Sequence, residues 1–378
     1  GAASAFVEAT LEQIYKEVKE GQYRGGPAFY IEKGLGVKWY AIIFAVATII
    51  STSLLLPGVQ SNSIALSMQQ AFDFPVLYTG LAVAALLGLV IFGGVKRIGK
   101  VAEILVPFMA FAYILMAVII ISMNVAEVPA MIKLILRSAF NMEAGFSGVF
   151  GMAIAWGVKR GIYSNEAGQG TAPHAAAAAE VSHPAKQGLV QAFSVYVDTL
   201  FVCTATAFMI LFTQKYNVIN PEGGFLLENL PGVAAGAEYT QHAVSTYFPR
   251  IGSGFVAFSL LFFAFTTLMA YYYIAETNLS YLYPKRMKKW MMNGLRIFVL
   301  CAVVYGAVRT SGLAWAIGDI GVGVMAWLNI IAILLLSRPA LRCLKDYERQ
   351  LKAKKSPVFN AKECGIKNAD LWDGEIVE

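Results

Sequence analysis

Seven stretches of this chain, at residues 39–57, 76–94, 101–123, 190–213, 252–275, 313–337 and 295–308 with its flanks, are continuously apolar. About 17 such residues suffice to carry a helix across a hydrocarbon layer roughly 30 Å thick. The runs do not alternate with period two, so they predict helices and not barrel strands. With 57% of residues hydrophobic and only 14% charged, the chain is too apolar for a soluble core. Residues 1–15, "GAASAFVEATLEQIY", look like the back half of a further membrane helix, so the N-terminus is expected to lack its beginning; no cleavable secretory signal is visible. The expectation is an all-α integral membrane protein, one transmembrane domain over 1–378 with about nine membrane segments. Its end, 345–378, is a polar tail expected to be solvated, with little packed structure.

Charge placement orients the chain. Lys and Arg gather in 16–38, at Lys96, Arg97 and Lys100, at Lys186, in 285–296 and from Arg338 onward. The alternate connections hold few, among them Lys133, Arg137, Lys215, Arg250 and Arg309. The positive-inside rule makes the richer side, with the C-terminus, cytoplasmic, and the location a cell membrane. The net charge of +6 then reflects topology and anionic lipid headgroups; the bilayer is the partner, and no nucleic acid is implied. Cys203, Cys301, Cys343 and Cys364 lack any paired spacing and read as small apolar fillers.

One segment does not fit a simple span. "GFSGVFGMAIAWG" (145–157) and "TAPHAAAAAE" (171–180) are each too short to cross, and "YSNEAGQG" (163–170) lies between them. Together they suit one crossing interrupted near Ser164–Gly170, with glycine freeing the backbone and Pro173 in the first turn of a restarted helix. Bare amides and carbonyls at such a break are tolerated only where protein or a cavity surrounds them. They would offer donors to a carboxylate and carbonyls to an ammonium or a metal cation, which is the chemistry of a zwitterion. The other reading is a cytoplasmic hairpin loop after a helix ending at Arg160. A broken helix would put Lys159 and Arg160 at depth, facing water or an acid.

Other polar residues sit inside apolar spans. Asp198 costs roughly 2.5–3.5 kcal/mol there and calls for a partner or a cation-linked task. Gln60, Asn62 and Ser63 follow Pro57–Gly58 at the end of the third helix: the amide pair there could cap a helix end, or Gln60, Ser63 and Ser67, which share one helical face, line a cavity. Thr266 and Thr267 either bond back one turn or ligate sodium, and Tyr271 lies on the face of Thr267. Glu166, His174 and Asp198 could be imagined as an intramembrane hydrolase, yet no hydrolase spacing is present, so an enzyme is not expected. A channel or scaffold remains as the other non-transporting class.

In order along the chain, "YRGGPAFYIEKGLG" (23–36), "PGVQSNSIA" (57–65), "GGVKRIGK" (93–100), "WGVKRGIYSNEAGQG" (156–170) and "FAFTTLMAYYYIAE" (263–276) resemble the alanine/glycine:cation symporters, also called sodium/alanine symporters. The resemblance implies sodium-coupled import of a small neutral amino acid, alanine or glycine and in some members glutamine. It also implies the inverted-repeat, leucine-transporter-like fold of the amino acid–polyamine–organocation superfamily, with discontinuous helices. By that likeness Tyr163, Ser164, Asn165, Ala167 and Gly168 line the amino-acid site, with Gln60 and Tyr271. Thr266 and Thr267 fall at the sodium site; Asp198, from its place in an apolar span and not from the likeness, is the candidate coupling or pairing acid. Tyr271 and Gln169 stand where many members carry Trp and Leu, which implies a more polar pocket, and 321–329 also departs, which leaves the size of the substrate open. The first broken helix with its Gly-Thr-Gly-Asn motif is not in this sequence, so this stretch by itself is expected not to transport. The oligomeric state is open.

Overall fold

The structure, a computed structural model, describes all residues except 20, 141–147, 221–222, 285–287 and 373–378. Helix α1 (Ala2–Tyr15) leads into a two-stranded antiparallel hairpin, β1 (Glu17–Lys19) and β2 (Gln22–Arg24), and a short α2 (Pro27–Tyr30). There follow α3 (Lys38–Phe72), α4 (Val76–Ile91), α5 (Val95–Met123) and the amphipathic α6 (Val128–Phe140). The broken pair is α7 (Gly148–Asn165) and α8 (Ala172–Ala178), and α9 (Pro184–Thr213) comes next. A second antiparallel hairpin, β3 (Asn217–Ile219) and β4 (Phe225–Glu228), precedes α10 (Ala237–Tyr247). The chain closes with α11 (Gly252–Leu282), α12 (Lys289–Ala307), α13 (Ser311–Leu335) and α14 (Ser337–Lys352). Among the described residues α3, α5, α9, α11, α12 and α13 are long and apolar enough to cross a membrane, and α4 is a shorter apolar helix.

Pro57 does not end its helix. A proline ring removes one donor and crowds the preceding turn, which breaks a regular helix. In α3 a wide π turn at Ser51–Leu55 comes first, with the Leu56 amide donating to Ser51 O at 2.8 Å, and the helix runs on to Phe72. Hydroxyls satisfy carbonyls nearby: Thr52 donates to Thr48 O at 2.7 Å and Ser53 to Ile49 O at 2.6 Å. Gln60 therefore sits inside a helix instead of at its end. Asn62 is a cap after all, but for a different helix: its amide donates to Arg309 O at 2.6 Å and Gly306 O at 3.3 Å, at the end of α12. The two helices touch backbone to backbone there, since a Cβ on Gly306 would lie 2.3 Å from Gly58 Cα.

The tail is not a loosely solvated end. Beyond α14 it buries Phe359, Ala361, Ile366 and Ala369 in the cluster that holds Leu11, Ile14, Tyr30 and Phe44. Phe359 N–H donates to Ser182 O at 3.0 Å, Asn368 to Lys33 O at 2.9 Å, and the Trp372 indole to Gln13 O at 2.8 Å. Lys33 pairs with Asp370 at 2.6 Å and with Glu17 at 3.0 Å. Burial alone would lower the Lys33 ammonium, but these two carboxylates outweigh it and hold it above its ordinary value. A few apolar residues at wide spacing anchor this segment, and its polar composition hid them. Phe359→Ala is expected to cost about 3–5 kcal/mol by leaving a cavity. A clear drop in the thermal unfolding temperature in detergent checks this; an unchanged one would return the tail to solvent.

Candidate functional site

The interruption lies where the glycines predict it. Helix α7 stops at Asn165 and α8 starts at Ala172, and the backbone between them enters the left-handed region at Glu166 (φ 56°), Gly168 (φ 89°) and Gly170 (φ 87°). Local bonds shape the turn. Glu166 N–H donates to Ile162 O at 3.0 Å, Asn165 Oδ1 accepts from Ala167 N–H at 3.0 Å, and the Thr171 hydroxyl donates to the Glu166 carboxylate at 2.6 Å. Residues 167–171 are buried, which a solvated hairpin loop would not be.

What holds the unwound segment is a carboxylate the sequence reading passed over. Glu8 of α1, 1% exposed, accepts from Gly168 N–H at 2.7 Å and from Gly170 N–H at 3.0 Å. The Asn329 amide of α13 also donates to Glu8 and, at 3.1 Å, to Gly168 O; the Tyr30 hydroxyl in turn donates to Asn329. Donors at the break were expected to face a substrate carboxylate, yet two of them are committed to the chain's own. The positive φ expected of Gly168 is present. Gly170 is the more confined: a Cβ there would lie 2.8 Å from Phe44 and 3.0 Å from Pro27, against 3.4 Å from Ile330 at Gly168.

Of the residues singled out from sequence, Gln60, Tyr163 and Tyr271 meet. Tyr271, 2% exposed, packs with Leu56, Ile274, Val322 and Met325, flanked by Ile162 and Tyr163, and the Gln60 side chain lies against it. The Tyr163 ring stacks on Trp315 at 5.0 Å, and its buried hydroxyl has no hydrogen-bond partner among the described residues. One turn away, Lys159 and Arg160 do face an acid: Asp319 of α13 takes Lys159 at 2.6 Å and Arg160 at 2.7 Å, with the Arg160 guanidinium 4.6 Å from the Trp315 ring centre.

Ser164 and Asn165 turn the other way. The Ser164 hydroxyl donates to Asp198 at 2.8 Å, and Asn165 approaches Thr199 at 3.4 Å, both on the π turn of α9 (Val197–Cys203). Asp198 thus has a partner on the broken helix. Ala167 packs with Ala5 and Val195. Thr266 and Thr267 both donate to Phe263 O, at 2.8 and 3.0 Å, the back-bonding alternative. Their oxygens keep lone pairs, but no hydrogen bond joins them to 163–171 among the described residues. Glu166, His174 and Asp198 do not assemble into a hydrolytic group: His174 bonds Thr171 O at 3.1 Å and Asn278 at 2.8 Å, while Glu166 faces Thr171 and Asp198 faces Ser164. Glu8, Asp319 and Asn329 were missed, although "AFVEATLEQIY" and "AIGDIGVG" carry the signal that marked Asp198, an acid in apolar surroundings.

Comparison with known proteins places the chain in a family. Residues 1–361 match the family model described as the sodium:alanine symporter family. YrbD of Bacillus subtilis (strain 168), named for sodium/proton-dependent alanine carriage, is 62% identical over 375 residues, covering 99% of this chain and 78% of that protein. The sodium/proton-dependent alanine carrier protein of Bacillus sp. (strain PS3) is 54% identical over 374 residues, covering 99% and 84%. GlnT of Bacillus subtilis, named for sodium/glutamine symport, is 44% identical over 359 residues, covering 95% and 72%.

Proposed function

The chain belongs to the sodium:alanine symporter family, and from that premise we propose that it imports a small neutral amino acid with sodium as the coupling ion, by alternating access across the cell membrane. Transport, and not catalysis, is its work. The observation that carries the reading is the break at 166–171, a helix interrupted inside the protein and braced by Glu8 and Asn329 so that its shape is fixed before a ligand arrives. Alanine or glycine is the substrate; glutamine is the alternative, and the polar Gln60, Tyr163 and Tyr271 patch favours a side chain able to hydrogen-bond. Ser164, Asn165, Ala167 and Gly168 supply the rest of the lining once Ser164 and Asn165 give up their contacts with Asp198 and Thr199 for the amino acid. Lys159 and Arg160 with Asp319 close one end of it, an ion pair that must separate when the amino acid passes. Asp198 with Ser164 is the pairing acid beside the site. The helices belong to two inverted repeats, and the C-terminus lies in the cytoplasm.

Sodium is a hard cation that prefers oxygen, and Thr266 and Thr267 present two hydroxyls on α11. Replacing both with Val keeps the volume and removes both oxygens. Uptake of labelled alanine into proteoliposomes by the full-length protein, stimulated by an inward sodium gradient, tests the function. In the double variant the sodium half-saturation is expected to rise at least about tenfold, the loss of roughly 1.4 kcal/mol, with protein abundance unchanged. Unaltered sodium half-saturation would remove the threonines from the ion site; sodium-independent uptake in the unmodified protein would remove the coupling.

A further inference from the structure

Two acids stand one turn apart on α1 and are treated in opposite ways. Glu8 is matched by three donors. Glu12 is fully buried, yet neither of its carboxylate oxygens has a hydrogen-bond partner among the described residues, and only the Gly26 amide comes near. The charged and titratable groups around it face other partners. Lys16 on its own helix donates to Ala179 O at 2.8 Å and sits over the Tyr23 ring. Lys33 is held by Glu17 and Asp370, and Arg24 of β2 by Glu276 of α11 at 3.1 Å. Tyr30 donates to Asn329, Tyr273 of α11 to His174 O at 3.3 Å, and the His174 ring bonds Asn278. A carboxylate buried without a hydrogen bond of its own, its neighbouring cations held by other partners, is costly, and binding a proton is the direct way to relieve it.

We propose that Glu12 is a proton-carrying site of the transport cycle, loaded while it is buried between α1, α8 and the 24–26 turn and unloaded when α8 withdraws; this rests on the transport reading above. The site is shaped around the carboxyl group. A Cβ on Gly25 would lie 1.5 Å from Glu12 Oε1 and 3.1 Å from Ala177 of α8, so Gly25 leaves the room that Glu12 fills and the second half of the broken helix forms one wall. A cavity of about 420 Å³ lined by Tyr23, Lys96, Ala178 and Tyr273 opens beside that wall, and withdrawal of α8 would join it to the carboxyl group. In the step itself the carboxylate oxygen takes a proton from water on one side of the membrane. When α8 moves, the O–H bond breaks and the proton passes to water in that cavity. Glu8, held by three donors, stays the structural brace.

The test uses the full-length protein in proteoliposomes containing a pH-sensitive dye, with alanine and sodium added outside. Unmodified protein is expected to acidify the lumen as labelled alanine enters. Glu12→Gln, close in shape to the neutral acid, is expected to keep alanine uptake and lose the acidification. Acidification equal to the unmodified protein in Glu12→Gln overturns the proposal, as does alanine uptake without acidification in the unmodified protein, which would leave sodium-coupled transport standing. No alanine binding or uptake by unmodified protein would instead sink the transport reading itself. Should Glu12→Gln fail to bind alanine in detergent, Glu12→Asp decides: a displaced pH midpoint of uptake supports the site, and an unchanged one overturns it.

Discussion

Gly168→Val abolishes amino-acid binding in detergent while the protein still elutes as a folded species; that is the expected result. Gly168 has φ 89°, where a β-branched side chain is strained by about 1–3 kcal/mol. Space alone does not forbid a side chain, since a Cβ would meet Ile330 at an ordinary 3.4 Å. The strain is relieved by rotating the backbone, and rotation breaks two bonds at once, the N–H to Glu8 at 2.7 Å and the carbonyl from Asn329 at 3.1 Å. Together these amount to about 3 kcal/mol or more, a loss of at least roughly a hundredfold in affinity. A solvated loop would lose no more than about 1 kcal/mol of local stability and keep binding. Calorimetry with the amino acid measures it, and near-normal affinity would make 166–171 an ordinary turn.

Changing Glu8 attacks the same segment from the opposite helix. Glu8→Gln supplies one carbonyl where a carboxylate served three donors, and it points an NH2 group at an amide that is itself a donor. At about 1.5–3 kcal/mol for each hydrogen bond to a charged group, the loss is expected to exceed 3 kcal/mol. Affinity should fall by at least about a hundredfold. The thermal unfolding temperature should fall as well, because α1 is bound to the unwound segment and to α13 through this contact. Binding and melting both equal to the unmodified protein would mean that the break holds its own shape and that Glu8 is incidental.

Much of this was legible from residue order. The apolar runs gave the membrane class, and Gly168, Gly170 and Pro173 located the break. The demand that Lys159 and Arg160 find water or an acid was met by Asp319. What stayed hidden depended on contacts between distant segments. Glu8 and Glu12 lie in a stretch too short to cross alone, so their cost at depth was not weighed as that of Asp198 was. Pro57 looked like a helix end because a π turn five residues earlier leaves no mark in an apolar pattern. Asn62 offered a cap without revealing that the capped helix is 244 positions away at Gly306. In the tail, Phe359 and Ile366 are too sparse for any periodicity to expose.

That tail also has a bearing on how the chain is made. The Trp372 indole closes onto Gln13 O across 359 positions, and Phe359 and Ile366 complete a cluster begun by Leu11 and Ile14. A ribosome delivers α1 long before these partners, so the cluster around α1 stays open until they follow. Until then Glu8 and Glu12 wait on a helix whose other walls have not arrived. This part of the assembly therefore waits for residues 359–372, and a product that stops before them leaves α1 with an uncovered face for quality-control machinery to recognise.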